Sequence, residues 1–255
     1  MLPIHAVLEP LKAALATTNA VVLAAPPGAG KTTVVPLALL DQAWLGDRKV
    51  LVLEPRRLAA RAAADRMATT LGQKAGGTVG YRTRLQSRIG PETRIEVITE
   101  GVFTRMILDD PGLEGVGAVL FDEFHERSLD ADLGLALARE SQSVLRDDLR
   151  LLVMSATLDI AGVSRLLDGA PVIEAEGRMF PVEILYMGRN VAERFEDAVA
   201  RAVMLALGDQ MGSVLVFLPG QGEIHRTVQR LNERLRDPRV DVVALYGALD
   251  KSEQD

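Results

Sequence analysis

The 255 residues contain no cysteine. This excludes disulfides and thiolate-held metal, and it accords with a reducing compartment, so a cytoplasmic location is expected. Histidine is scarce too, at three residues. His125 and Glu126 open a His-Glu-x-x-His pattern, but Leu129 stands where the second histidine is needed, and a zinc site is not expected. No apolar run approaches the roughly 20 residues of a membrane-crossing helix. The apolar start of the chain is broken by Pro3, His5, Glu9, Pro10 and Lys12, and it lacks the basic opening and unbroken apolar block of a signal peptide. Internal repeats and low-complexity tracts are absent as well. The composition, 48% hydrophobic and 25% charged, suits one large or two small globular domains with real cores.

A net charge of −6 argues against adhesion to nucleic acid by bulk charge. The distribution argues otherwise. Residues 48–105 hold twelve Lys/Arg against five Asp/Glu, a local excess of seven that can form either a cationic face for phosphates or a set of solvated helix faces.

Short apolar runs recur at 21–25, 50–53, 95–99, 118–121 and 151–154, then at 182–186, 214–218 and 240–245. Most are continuous rather than alternating, as in strands covered on both faces, and the stretches between them have helical character. The pattern predicts a parallel α/β sheet with right-handed crossovers, in which ligands gather at the carboxyl ends of the strands. Polar residues stand at those ends: Lys31, Arg56, Thr99-Glu100, Asp122-Glu123 and Ser155-Ala156-Thr157. Gly and Pro cluster over 169–181 before a new strand and helix series. A boundary near residue 176 is expected, giving domains 1–176 and 177–255.

The chain is organised around residues 21–33, an apolar run followed by a Gly/Pro loop and Lys-Thr at the mouth of a helix. A triphosphate tail needs backbone N–H groups, a helix N-terminus and a flexible cation. Pro27, Gly28, Ala29, Gly30, Lys31, Thr32 and Thr33 supply them, with the Thr32 hydroxyl for Mg²⁺. Ala25 replaces the first glycine of G-x-x-x-x-G-K-[ST], and the bland alternative is an ordinary strand-turn-helix. Pro36 should kink or delay the helix that follows. Asp122 and Glu123 end an apolar run, as an acid that holds hydrated Mg²⁺ and a base that orients the attacking water. Hydroxyls at Ser155 and Thr157 can bond that acidic pair or simply cap a helix. Arg56 and Arg57 suit phosphates or a surface ion pair.

Seven motifs stand in order: Gly-Ala-Gly-Lys-Thr-Thr (28–33), Pro-Arg-Arg-Leu-Ala-Ala (55–60), Val-Gly-Tyr-Arg-Thr-Arg (79–84), Thr-Glu-Gly (99–101), Asp-Glu-Phe-His-Glu-Arg-Ser (122–128), Ser-Ala-Thr (155–157) and Val-Phe-Leu-Pro-Gly (216–220). Together they resemble the DEAH-box group of superfamily 2 RNA helicases, and within it the bacterial HrpB type, which carries Phe in place of the Ala of Asp-Glu-Ala-His. The resemblance implies an α/β fold of two RecA-like domains that clamp ATP, or another NTP, with Mg²⁺ and grip single-stranded or partly duplex RNA, DNA not being excluded. It gives Lys31 and Thr32 to phosphate and metal, Asp122 and Glu123 to metal and water, and His125, Ser155 and Thr157 to coupling. It also gives Arg66 to the nucleotide base, and Arg56, Arg57, Thr99, Glu100 and Gly101 to the strand. Arg57, Arg82 and Arg84 can equally be structural.

In the resembled group a Gln-Arg-x-Gly-Arg motif supplies arginine fingers. This sequence has none: Gln229-Arg230 lies in an amphipathic stretch without the glycines. The expectation is therefore a first RecA-like domain followed by part of a second. Two rival readings are a P-loop kinase or transport ATPase, and a nucleotide-gated RNA-binding module.

Overall fold

The structure, a computed structural model, describes residues 2–156, 160–176, 182–188, 190, 192–209 and 212–249. The chain divides into two compact units, Met1–Phe180 and Pro181–Asp255. Part of the Gly/Pro stretch expected to hold the boundary, residues 177–181, lies outside the described residues.

The first unit is an eight-stranded sheet built from β1 (Ala20–Ala24), β2 (Lys49–Glu54), β3 (Val79–Arg82), β4 (Ser87–Arg88), β5 (Ile95–Thr99), β6 (Val116–Phe121), β7 (Arg150–Ser155) and β8 (Val172–Glu174). Its order is β4-β3-β5-β2-β6-β7-β1-β8. Every pairing is parallel except β3 with β4. The first five apolar runs become β1, β2, β5, β6 and β7, and these strands are buried almost throughout. Their continuity follows from two covered faces. Val21, Leu23, Val50, Val52, Val97 and Leu120 point to one core, which is closed by α1 (Leu8–Thr17), α2 (Lys31–Leu39) and α3 (Arg57–Thr70). Val22, Leu51, Leu53, Ile98, Val119 and Val153 point to the other, closed by α4 (Glu100–Asp109) and α5 (Leu129–Val144). α6 (Ile160–Leu166) precedes β8.

α2 is not delayed by Pro36: it starts at Lys31, runs through the proline and ends at Leu39. The proline N can no longer serve the carbonyl of Thr32, and the helix persists for only three residues beyond it.

In the second unit α7 (Phe195–Asp209) and α8 (Gln221–Arg234) share a small core of Ala200, Val203 and Leu231. Val216 and Val242 pack against that core, whereas Leu215, Phe217 and Val243 are exposed. Such alternation is what strands produce. Even so, among the described residues the runs 182–186, 214–218 and 240–245 carry no strand ladder, because apolar patterning sets the faces of a strand while a ladder also needs a neighbour held in register.

Candidate nucleotide and nucleic-acid site

Parallel register brings the polar strand ends to one edge. Leu53 lies opposite Phe121, and Phe121 opposite Val153; Ala24 lies opposite Ser155 and Glu54 opposite Thr99. The residues that follow β1, β2, β5, β6 and β7 therefore share a rim.

The loop after β1 turns on Gly28 (φ 74°) and Gly30 (φ 96°), both in the region that disfavours side chains. Gly30 is the N-cap of α2 and no side chain caps the helix, so its first amides point outward as an anion seat. Lys31 is buried, with Nζ 2.8 Å from the carbonyl oxygen of Ala25 and 3.4 Å from that of Pro26. Ala25 explains its own departure from the glycine pattern: it is buried with no positive φ among the described residues, and its N–H donates to the Ser155 carbonyl at 3.0 Å. A methyl group is at home there.

The Thr32 hydroxyl donates to Oδ2 of Asp122. Asp122 is buried, and its Oδ1 accepts from the Glu123 N–H at 2.8 Å. Burial pushes the Asp122 carboxyl up; the Thr32 hydroxyl opposes this and the charge of Glu123 adds to it. Glu54, the last residue of β2, is buried beside it. Burial, then the charge of Asp122 and a hydrogen bond with it, pushes Glu54 from its usual 4.5 to about 9. Glu54 thus carries a proton at neutral pH. Sequence reasoning missed it as a site residue. The available signal was an acid ending an otherwise apolar run, but the adjacency of β2 and β6 that makes it matter is tertiary.

Glu123 takes a left-handed backbone (φ 48°), as does Arg127 (φ 52°), on either side of a short 3₁₀ turn, Phe124–Glu126. Such conformations cost a non-glycine residue about 1–3 kcal/mol and persist where the surroundings enforce them. Phe124 enforces this one: it is buried, with its ring edge-on to Phe121 at 6.2 Å, and Phe121 is in turn edge-on to Phe103 at 5.8 Å. His125 Nδ1 lies 3.3 Å from Glu123 Oε2 and 3.4 Å from the Ala156 N–H. One ring nitrogen cannot donate to the first and accept from the second at once, so the tautomer selects which neighbour His125 serves. Ser155 is buried at the end of β7, and Thr157 lies outside the described residues.

Arg56 is the N-cap of α3 and is 71% exposed, with its guanidinium 2.7 Å from Glu126 Oε1. Arg57 and Gly101 are exposed at the first turns of α3 and α4, and Thr99 is the N-cap of α4. Glu100 faces inward: it is buried and accepts a short hydrogen bond of 2.5 Å from Ser128 Oγ, and burial pushes its carboxyl up. Ser128 also accepts from the Ala131 N–H at 2.9 Å, capping α5. Arg66 lies on the exposed side of α3, about 13 Å along the axis from Arg57 at 1.5 Å per residue. Arg82 is ion-paired within the sheet, its Nε 2.7 Å from the buried carboxylate of Glu96. Arg230 sits in α8, paired with Asp197 and Glu233.

Mg²⁺ takes oxygen donors and leans on one or two carboxylates plus phosphate and water. The Thr32 hydroxyl with the Asp122 and Glu123 carboxylates fits that requirement, and among the described residues no group of three or more His, Cys, Asp or Glu is gathered as a larger metal cage.

Residues 8–166 match the family model for DEAD/DEAH box helicases. The chain is 53% identical over 253 residues to the ATP-dependent RNA helicase HrpB of Escherichia coli K12, a match covering 99% of this chain and 31% of that protein. It superposes on a crystal structure of the Escherichia coli DEAH/RHA helicase HrpB with a TM-score of 0.93 at 52% identity, over 100% of this chain and 32% of the other. A second crystal structure, of the E. coli DExH-box NTPase HrpB, gives 0.84 at 52% identity, over 99% and 31%. The chain thus spans about a third of the length of these relatives.

Proposed function

The chain belongs to the DEAD/DEAH box helicase family, and from that premise we propose that it is the NTP-binding and hydrolysing part of an ATP-dependent RNA helicase, coupling hydrolysis to movement on, or unwinding of, RNA. The observation that carries the reading is the contact of Thr32 with Asp122, which joins the phosphate loop to the acidic end of β6 across the sheet. In this proposal Lys31 and the first amides of α2 bind the β- and γ-phosphates of ATP or another NTP. Thr32 and Asp122, with Glu123 beside them, hold Mg²⁺, which when bound neutralises charge on the phosphates.

Glu123 orients the attacking water and takes its proton, its half-buried carboxylate standing on a left-handed backbone beside His125. His125 reports between Glu123 and residues 155–157, with Thr157 included on the resemblance alone. Arg56, Arg57 and the first turn of α4 (Thr99, Glu100, Gly101) meet the strand, Glu100 by shaping the turn through Ser128 rather than by touching phosphate. Arg66 is proposed for the base on the resemblance. RNA is the proposed partner, with DNA kept as a competitor in the test, and the cytoplasm is the proposed location. No helix among the described residues is long and apolar enough to cross a membrane.

The test is steady-state hydrolysis with and without single-stranded RNA in the whole protein. Glu123→Gln should retain nucleotide binding and lose turnover by about 10²–10⁴-fold. Turnover near the parent rate would remove Glu123 from the role, and equal stimulation by RNA and DNA would remove the RNA preference.

A further inference from the structure

The segment ahead of α1 is a 3₁₀ turn, Pro3–Val7, and it lies against the phosphate loop rather than in solvent. Three observations meet there. Ile4 is fully buried within the core that also holds Ala25 and Ala29. Its backbone N–H donates to the carbonyl of Ala29 at 3.2 Å. A Cβ placed on Gly30 would lie 2.8 Å from Leu2 Cδ1, 3.2 Å from Ile4 Cγ2 and 3.3 Å from Val34 Cγ2. Gly30 is therefore glycine for two reasons: its positive φ, and a wall of N-terminal side chains against its α-carbon.

The consequence follows from peptide geometry. In a trans peptide the C=O and the next N–H lie in one rigid plane and point in opposite directions across the C–N bond. A hydrogen bond that fixes the Ala29 carbonyl toward Ile4 also fixes the Gly30 N–H away from it. The loop binds phosphate through such amides, and it has two glycines with little rotational restraint of their own. The restraint comes from outside the motif. The 3₁₀ turn is itself anchored, since Leu11 and Leu15 of α1 are buried in the same core and Pro3 fixes its own φ at the start.

We propose that Ile4 is a positioning residue of the phosphate loop, holding the Ala29–Gly30 peptide so that its amide is presented to the nucleotide before binding, with Leu2 closing the same wall. This rests on the nucleotide reading above and deepens it: part of the affinity for a nucleoside diphosphate resides 27 residues upstream of Lys31, at Ile4. The alternative is that Ile4 is a core residue whose neighbour happens to be the loop.

The experiment compares Ile4→Ala, Ile4→Val and Leu11→Ala, the last a buried residue of the same core away from the loop. Hydrogen exchange of residues 26–34 is followed in nucleotide-free protein, ADP·Mg²⁺ affinity is measured by titration, and thermal midpoints match the variants for overall stability. Ile4→Ala should speed loop exchange and raise the ADP Kd about tenfold, and Ile4→Val should restore both. Leu11→Ala, at a similar loss of thermal midpoint, should leave the loop as in the parent. Equal loosening by Leu11→Ala, or unchanged loop exchange in Ile4→Ala, would overturn the proposal. Should Ile4→Ala fail to fold, Leu2→Ala, at a residue 44% exposed, takes its place with the same expected direction. A parent that fails to bind ADP·Mg²⁺ would defeat the nucleotide reading, while the exchange comparison would still decide the role of Ile4.

Discussion

Thr32, in the first turn of α2, donates its hydroxyl proton to Asp122, the residue that follows β6. The two groups are 90 positions apart in the chain and share no local motif. Their contact makes the phosphate loop and the acidic strand end one site, and it sets the terms of the first expectation.

Thr32→Val keeps the shape of the side chain and removes its oxygen. The loss should fall on the Mg²⁺-dependent part of nucleotide affinity, about tenfold or more, with binding in excess chelator little changed. Calorimetric titration of ADP with and without Mg²⁺ checks this. A Mg²⁺ dependence equal to the parent's would place the metal elsewhere.

Glu54 makes the stability of the free protein depend on pH. Its folded pKa, about 9, stands above the usual 4.5, so the native state holds a proton that the unfolded chain releases between these values. The stability linked to that proton is full below about 4.5 and is lost as pH rises through about 9; the raised carboxyl of Asp122 acts in the same direction. In chelator and without nucleotide, the thermal midpoint should fall from pH 5 to pH 9. Glu54→Gln should flatten that fall. Parallel curves for parent and variant would mean that Glu54 is ionised in the native state.

Arg56 is paired with Glu126 on an exposed surface, where an ion pair contributes about 0–1 kcal/mol. A strand phosphate can displace such a partner easily. Arg56→Ala should weaken single-stranded RNA binding and reduce the slope of log K against log salt by about 0.7. Glu126→Gln should strengthen binding modestly, since a repelling carboxylate disappears. Fluorescence anisotropy across a salt series measures both, and an unaltered slope in Arg56→Ala would return Arg56 to the solvated surface.

Phe124 stands where the motif name has alanine, and it fills space against Phe121. Phe124→Ala should cost about 3–5 kcal/mol of stability through the cavity it leaves. Urea unfolding with an unchanged m-value would register it. A loss under about 1 kcal/mol would mean that the turn repacks without the ring.

The sequence by itself determined the local chemistry. Gly28, Gly30, Lys31 and Thr32 are legible because a phosphate cradle needs those residue types at consecutive positions, and Asp122-Glu123 because an acidic pair after an apolar run announces a strand end. Continuous apolar runs likewise announced β1, β2, β5, β6 and β7, since strands covered on both faces leave no polar side. The strand order was not legible, because each strand satisfies its apolar pattern equally well beside any neighbour. That order lays Glu54 against Asp122, where its pKa is raised, turns Glu100 inward to Ser128 and sets Arg82 beside Glu96, while the packing of the N-terminal turn brings Ile4 onto Gly30. In the second unit the same limit appears from the other side: alternation put Val216 and Val242 inward and Phe217 outward, but hydrogen-bonded pairing is a property of two strands, and one strand's sequence encodes only its own faces.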